Sequence, residues 1–230
     1  MDSISEIDRR ARPGISLPRR SGLEPPLLLG LGLAALVISG LHPAERSTWW
    51  MEIFPILIGA PILVATYRQF PLTPLVYRLL FVHALILMVG GRYTYAKVPL
   101  GFWMEHLFGF TRNHYDRIGH LAQGFVPALL AREILLRRSP LRPGKWLFFL
   151  VLSVCMAISA FYEFIEWWAA LFFGAGADAF LGTQGDVWDT QWDMFMAFIG
   201  ATVALTTLSR VQDRALFRNS FARESVVCAI

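Results

Sequence analysis

Three short stretches carry side chains that could do chemistry together. Gly185-Asp186-Val187-Trp188-Asp189-Thr190-Gln191-Trp192-Asp193-Met194 places carboxylates at i, i+3 and i+7, one face of a helix, at the mouth of an apolar run from Phe195 to Leu208. His114-Tyr115-Asp116-Arg117-Ile118-Gly119-His120 sets Asp116 and His120 one helical turn apart. Phe161-Tyr162-Glu163-Phe164-Ile165-Glu166-Trp167-Trp168 does the same for Glu163 and Glu166. An ionisable side chain inside a membrane segment costs about 2.5 to 3.5 kcal/mol on insertion scales, so such groups face a bundle interior and mark functional positions. Asp116, His120, Glu163, Glu166, Asp189 and Asp193 are therefore the candidate catalytic set.

Five or six carboxylates at low dielectric cannot all stay ionised without cations, because burial and like charge both raise their pKa values. The neutralising groups available are protons, His114, His120, Arg112, Arg117 or a metal ion. Many carboxylates with few imidazoles suit Mg, Mn or non-haem Fe better than zinc. His120, Glu166, Asp189 and Asp193 are the expected ligands of such a divalent metal. The alternative is a structural hydrogen-bonded network in which Arg117 pairs with Asp189 or Glu166. Of the remaining polar residues, His83 reads as a satisfied packing residue, Glu52 as interfacial, Glu105 and His106 as solvated, and Asp178 as exposed. Gly174, Gly176, Gly182 and Gly185 read as a loop, without the Lys or strand-helix context of a phosphate cradle.

The elements that must position these groups follow from composition. The chain has 230 residues, 55% hydrophobic and 17% charged, with a mean hydropathy of +0.48. These values lie outside the soluble globular range and predict an all-α, polytopic transmembrane helix bundle. About six membrane helices are expected, over 25–41, 51–67, 75–91, 118–136, 146–173 and 189–208. Pro55 and Pro61 predict a kink in the second. The longest connection, Arg92 to Arg117, has an aromatic middle from Leu100 to Phe110 that reads as an interfacial helix. The net charge of +4 and pI near 9.4 come from residues at the ends of apolar segments, so nucleic acid is not an expected partner. The expected partners are the lipid bilayer and a lipid head group or envelope precursor. Cys155 and Cys228 give neither a disulfide framework nor a zinc motif.

Residues 1–24 are basic without an apolar core and read as a disordered tail rather than a cleavable signal peptide. Residues 25–209 form the membrane domain, and 210–230 a second basic tail. Of 21 Lys and Arg, sixteen fall on the side of the two termini and five on the other. The positive-inside rule then makes both termini cytoplasmic. It also places all three motifs in the outer half of the bilayer, with Trp49, Trp50, Trp103, Trp167, Trp168, Trp188 and Trp192 as an outer aromatic belt. At a rise of about 1.5 Å per residue, Glu166, His120 and Asp193 lie close enough in depth to share one cluster. The inner half shows no matching acids and the chain no internal repeat, both of which weigh against a proton- or cation-coupled transporter.

The three motifs, in this order, resemble the YjdF family of bacterial inner-membrane proteins. The resemblance runs from about the second segment to the sixth. It implies a multi-pass location in the bacterial plasma membrane and supplies no reaction. A fainter likeness to VanZ-like membrane proteins lies in the order Asp116, Gly119-His120, then Asp189 and Asp193 before Gly200, and it does not carry antibiotic resistance over. The functional expectation is a carboxylate/His site near the outer leaflet, with metal-dependent chemistry on a lipid head group or envelope precursor. The competing expectations are the coupled transporter and a non-catalytic component held by a structural polar network.

Overall fold

The computed structural model describes residues 22–174 and 178–217. Most of the expected N-terminal and C-terminal tails, Gly176 and Cys228 lie outside the described residues, as does the side chain of Asp178, while Glu24 belongs to the first helix. The chain runs through α1 (Glu24–Leu41), α2 (Arg46–Thr66), α3 (Pro74–Tyr93), a 3-10 turn (Tyr95–Lys97), α4 (Pro99–Phe108), α5 (Tyr115–Arg138), α6 (Lys145–Phe173), the single turn α7 (Asp178–Leu181) and α8 (Asp189–Leu216), with no strand among the described residues. Proline sets the start of α1, α3 and α4, where its missing N–H costs nothing, and Gly109 at φ +69° ends α4 in the left-handed region.

Five helices, α1, α2, α3, α6 and α8, are long and apolar enough to cross a membrane. The fourth expected segment is present as α5, whose 24 residues reach about 36 Å. It carries Asp116, Arg117, His120, Arg132, Glu133 and Arg137, all buried. It tolerates them because α3, α6 and α8 pack around it and keep those groups from lipid. The contacts alternate in direction along the chain. Arg78 pairs with Glu24 while Arg92 donates to the Ile38 carbonyl, making α1 and α3 parallel. Thr73 meets Glu133 while Tyr115 meets the Ile86 carbonyl, making α3 and α5 antiparallel.

The tightest packing in the bundle joins α5 and α8, which run parallel. Gly124 lies against the Ala197 carbonyl and Gly200 against the Leu121 carbonyl, so closely that an added Cβ at either would overlap the backbone opposite. Small residues let helix backbones approach where apolar burial gives no drive between membrane helices. An apolar core of Val76, Leu129, Leu147, Val151, Ala201 and Leu205 fills the half of the bundle away from the three motifs.

Several expectations change. α2 begins at Arg46, ahead of the expected start at residue 51, with Pro55 and Pro61 inside the helix. α8 extends to Leu216, so Arg210 and Arg214 belong to a helix rather than to a tail. Trp49 is not a belt residue; it is buried, and its indole N–H donates to Ser39 Oγ at 3.1 Å, pinning α2 to α1. Trp50, Trp103, Trp167, Trp168, Trp188 and Trp192 are exposed. The aromatic connection contains the short helix α4, which exposes Leu100, Phe102, Trp103, Leu107 and Phe108.

Candidate functional site

The motif ends of α5, α6 and α8 meet at one end of the bundle. Their convergence follows from topology: α5 and α8 are parallel, so their acidic N-terminal turns lie side by side, and the antiparallel α6 brings the C-terminal half that holds Glu163 and Glu166. Asp116, His120, Glu163, Glu166, Asp189 and Asp193 are all buried there.

Two layers can be distinguished. Toward the loops, two guanidiniums share two carboxylates: Arg112 Nη1 donates to Asp186 Oδ2 at 3.2 Å and Asp189 Oδ1 at 2.9 Å, and Arg117 Nη2 to the same atoms at 3.0 and 3.1 Å. Arg112 also donates to the Gly182 carbonyl at 3.2 Å, and Arg117 lies over the Trp192 ring at 5.6 Å from its centroid. Asp186 precedes the helix instead of extending its face. Its Oδ1 accepts from the Trp188 N–H at 3.0 Å, a local turn that is followed by α8. That bond, then the two guanidiniums, hold the Asp186 carboxyl below the ordinary value. Burial, followed by the same guanidiniums, pushes the neighbouring His114 down. The connection before Asp186 uses three consecutive-region residues in the left-handed conformation, Gly182, Gln184 and Gly185, and Gln184 ties it to the main chain of Asn113 with bonds of 2.8 and 3.1 Å.

Beneath this clamp lies the second layer. His120 Nε2 is 3.5 Å from Asp116 Oδ1 and 3.9 Å from Asp193 Oδ2. Asp116, His120 and Asp193 form one trio of potential ligands and His120, Glu163 and Glu166 another, each offering atoms within 4.8 Å of one another. Among the described residues, neither Glu163 oxygen has a hydrogen-bond partner of good geometry, though Thr190 lies beside it, nor does Asp193 Oδ1 or His120 Nδ1, although these atoms are buried. Asp193 Oδ1 has only an ion-pair neighbour, Arg117 Nη1 at 3.4 Å. Asp189, expected as a ligand, stands apart from both trios because its carboxylate is engaged by the two arginines.

Glu52 is the residue that the sequence placed elsewhere. It is only 3% exposed, and Tyr162 donates to its Oε2 at 3.4 Å across the α2–α6 boundary. His83 is likewise not a satisfied packing residue, since its Nε2 is buried without a partner. Both line a cavity of about 160 Å³ whose walls also include Tyr95, Asp116, His120 and Glu166. Neither has a neighbour of matching type at helical spacing, so no local pattern marks them. The one available signal was Glu52 inside an otherwise apolar segment.

A second buried polar group sits at the far end of the bundle, where no matching acid was expected. Glu133 accepts from Thr73 Oγ1 at 2.7 Å, Thr73 N at 3.0 Å and Arg137 Nη1 at 2.8 Å. Arg132 reaches Gln212 at 3.0 Å and Asp213 at 2.7 Å. Each carboxylate here has a cation beside it. This end is therefore a closed staple joining α3, α5 and α8, unlike the motif end.

The family model described as "Predicted membrane protein (DUF2238)" matches residues 25–214. The chain is 55% identical over 183 residues to Inner membrane protein YjdF of Escherichia coli (strain K12), covering 80% of this chain and 88% of that protein. No solved structure matches it. With the polytopic helical architecture described above, these similarities establish that the chain belongs to the YjdF family of inner-membrane proteins, the one described as predicted membrane protein DUF2238.

Proposed function

We propose that the motif end of the bundle is a divalent-cation site serving chemistry on the polar head group of a lipid or envelope precursor. The observation that supports this most directly is a mismatch of charge. Arg112 and Arg117 are matched by Asp186 and Asp189. Asp116, Asp193, Glu163, Glu166 and Glu52 then share one buried region with His120, and the only guanidinium that reaches any of them among the described residues is Arg117, already paired, at 3.4 Å from Asp193. In the Glu133 staple each carboxylate has a guanidinium beside it; unpartnered buried acceptors cost about 1 to 3 kcal/mol each and persist where they have another use.

The donor set supports Mg, Mn or Fe over zinc, since it offers four carboxylates and one imidazole in the two trios. Asp116, His120, Glu163, Glu166 and Asp193 would hold the ion. It would polarise an ester or phosphoryl oxygen and lower the pKa of a bound water. Asp189 acts on Arg117, holding its guanidinium beside Asp193. The lysine and arginine asymmetry supports both termini in the cytoplasm, which puts the site toward the outer leaflet of residues 25–209.

Metal content by mass spectrometry on detergent-purified protein tests the reading. Near-stoichiometric metal is expected in the wild type, with at least a tenfold loss in a Glu166→Gln, Asp193→Asn double variant that inserts and unfolds like the wild type. Negligible metal in both, after reconstitution with Mg, Mn and Fe(II), would refute the cation site.

A further inference from the structure

The cavity beside the cluster has a different composition from the cluster itself. One wall is shared with it, through Asp116, His120 and Glu166. Across from these lie Glu52, His83 and the rings of Tyr95 and Tyr162, on α2, α3, the 3-10 turn and α6. Glu52 belongs to neither ligand trio and has no Lys or Arg paired with it among the described residues; its hydrogen bond to Tyr162 is long, at 3.4 Å. His83 Nε2 is buried and unpartnered at the same cavity. The rings are held firmly. Tyr95 lies so close to Gly90 and Gly119 that a Cβ on either would overlap it, and Tyr162 packs edge-on to His120 with centroids 6.1 Å apart.

From this arrangement we infer that the cavity is a subsite for a primary ammonium group, seated at the Glu52 carboxylate beside Tyr95 and Tyr162, which line the same space. An unpaired buried carboxylate flanked by aromatic rings attracts a cation by both Coulomb and cation–π terms. His83 Nε2 and the Tyr hydroxyls are placed at the same space for the hydrogen bonds that fix its orientation. Size narrows the ligand further. A cavity of roughly 150 Å³ takes a molecule about as large as benzene. The cavity, at about 160 Å³, therefore admits an amino-alcohol head and is too small to enclose a nucleotide. Five acid or imidazole groups in the wall, Glu52, His83, Asp116, His120 and Glu166, favour a charged guest over a neutral apolar one. The inference rests on the cation-site reading for its meaning, because the shared wall would set the rest of the amine-bearing head group against the ion.

The test uses purified protein in detergent micelles, loaded with Mn, and ethanolamine as the probe, with glycerol as its neutral counterpart. Saturable binding of ethanolamine by calorimetry, at least tenfold tighter than glycerol, and a loss of at least tenfold in Glu52→Gln are expected. Tyr162→Phe, which keeps the ring and removes the hydroxyl, is expected to lose about two- to fivefold and guards against misfolding of the first variant. Equal binding of ethanolamine and glycerol, or unchanged ethanolamine affinity in Glu52→Gln, overturns the inference. Repeating the titration in nanodiscs of phosphatidylethanolamine against phosphatidylglycerol separates sources: competition by the former alone assigns the lipid head group, and binding unaffected by either assigns a free amine. Metal content, read in parallel, keeps the two proposals apart. Loss of ethanolamine binding in Glu52→Gln at unchanged Mn supports the subsite, whereas a wild type that binds ethanolamine and no metal refutes only the cation site.

Discussion

At the scale of single residues, the acids of the motif end fall into two kinds. Asp186 and Asp189 have their charge matched by guanidiniums, while Glu163 has neither carboxylate oxygen bonded. The difference predicts opposite responses to neutral substitution. Glu163→Gln removes a charge that repels Glu166 and Asp193, and it is expected to stabilise the metal-free protein by about 0.5 to 2 kcal/mol while weakening Mn binding by tenfold or more. Thermal unfolding in detergent with and without Mn reads both. Destabilisation of the metal-free form would instead place Glu163 in a structural network. Asp186 carries a pH dependence of defined sign. Its folded-state pKa lies below the ordinary value of 3.8, so the unfolded loop binds the proton more readily. The contribution is present above that value and is lost as pH falls through the folded one. Protease sensitivity of the 182–188 connection should rise as pH falls below about 4, and Asp186→Asn should show that raised sensitivity at neutral pH.

At the scale of elements, α5 is the helix on which everything is hung. Its N-terminal turns hold Asp116, Arg117 and His120, its middle lets α8 approach at Gly124, and its C-terminal turns hold the Glu133 staple. Gly124→Ala would press a methyl group into the Ala197 carbonyl and force α5 and α8 apart. The expected cost is about 1 to 3 kcal/mol, the range for overpacking, with a fall in metal content because Asp193 moves away from His120. Glu133→Ala makes a contrasting case. It strands Arg137 in a buried position and is expected to cost about 3 to 5 kcal/mol, leaving metal stoichiometry unchanged in the fraction that remains folded. Measuring both variants by unfolding and metal content separates the structural end of α5 from the end that carries the site.

At the scale of the whole molecule, the alternating long helices place the start of α1 and the end of α8 at the same end of the bundle. The basic asymmetry then predicts that a fluorescent-protein fusion after residue 217 is bright and an alkaline-phosphatase fusion there is inactive, while a phosphatase fusion in the 182–188 connection is active. The reverse pattern would turn the site toward the cytoplasm. The apolar runs and the three motifs were readable from the chain, because hydropathy and helical spacing are local properties. So was membership of one face for Asp116 with His120 and for Glu163 with Glu166. Which charges find partners was not readable, since pairing depends on which helices become neighbours and on their direction. Asp189 sits one turn from Asp193, yet Arg112, from the loop before α5, and Arg117 both bond Asp189, whereas Asp193 lies between the other nitrogen of Arg117 and His120. Glu52 and His83 look like isolated polar residues in apolar segments, and they meet the cluster only because α2 and α3 close over α5 and α6. Sequence alone determined a helical membrane protein with one acid-rich end; tertiary packing decided which of those acids are neutralised and which remain open, because desolvation and charge matching are set by neighbours in space.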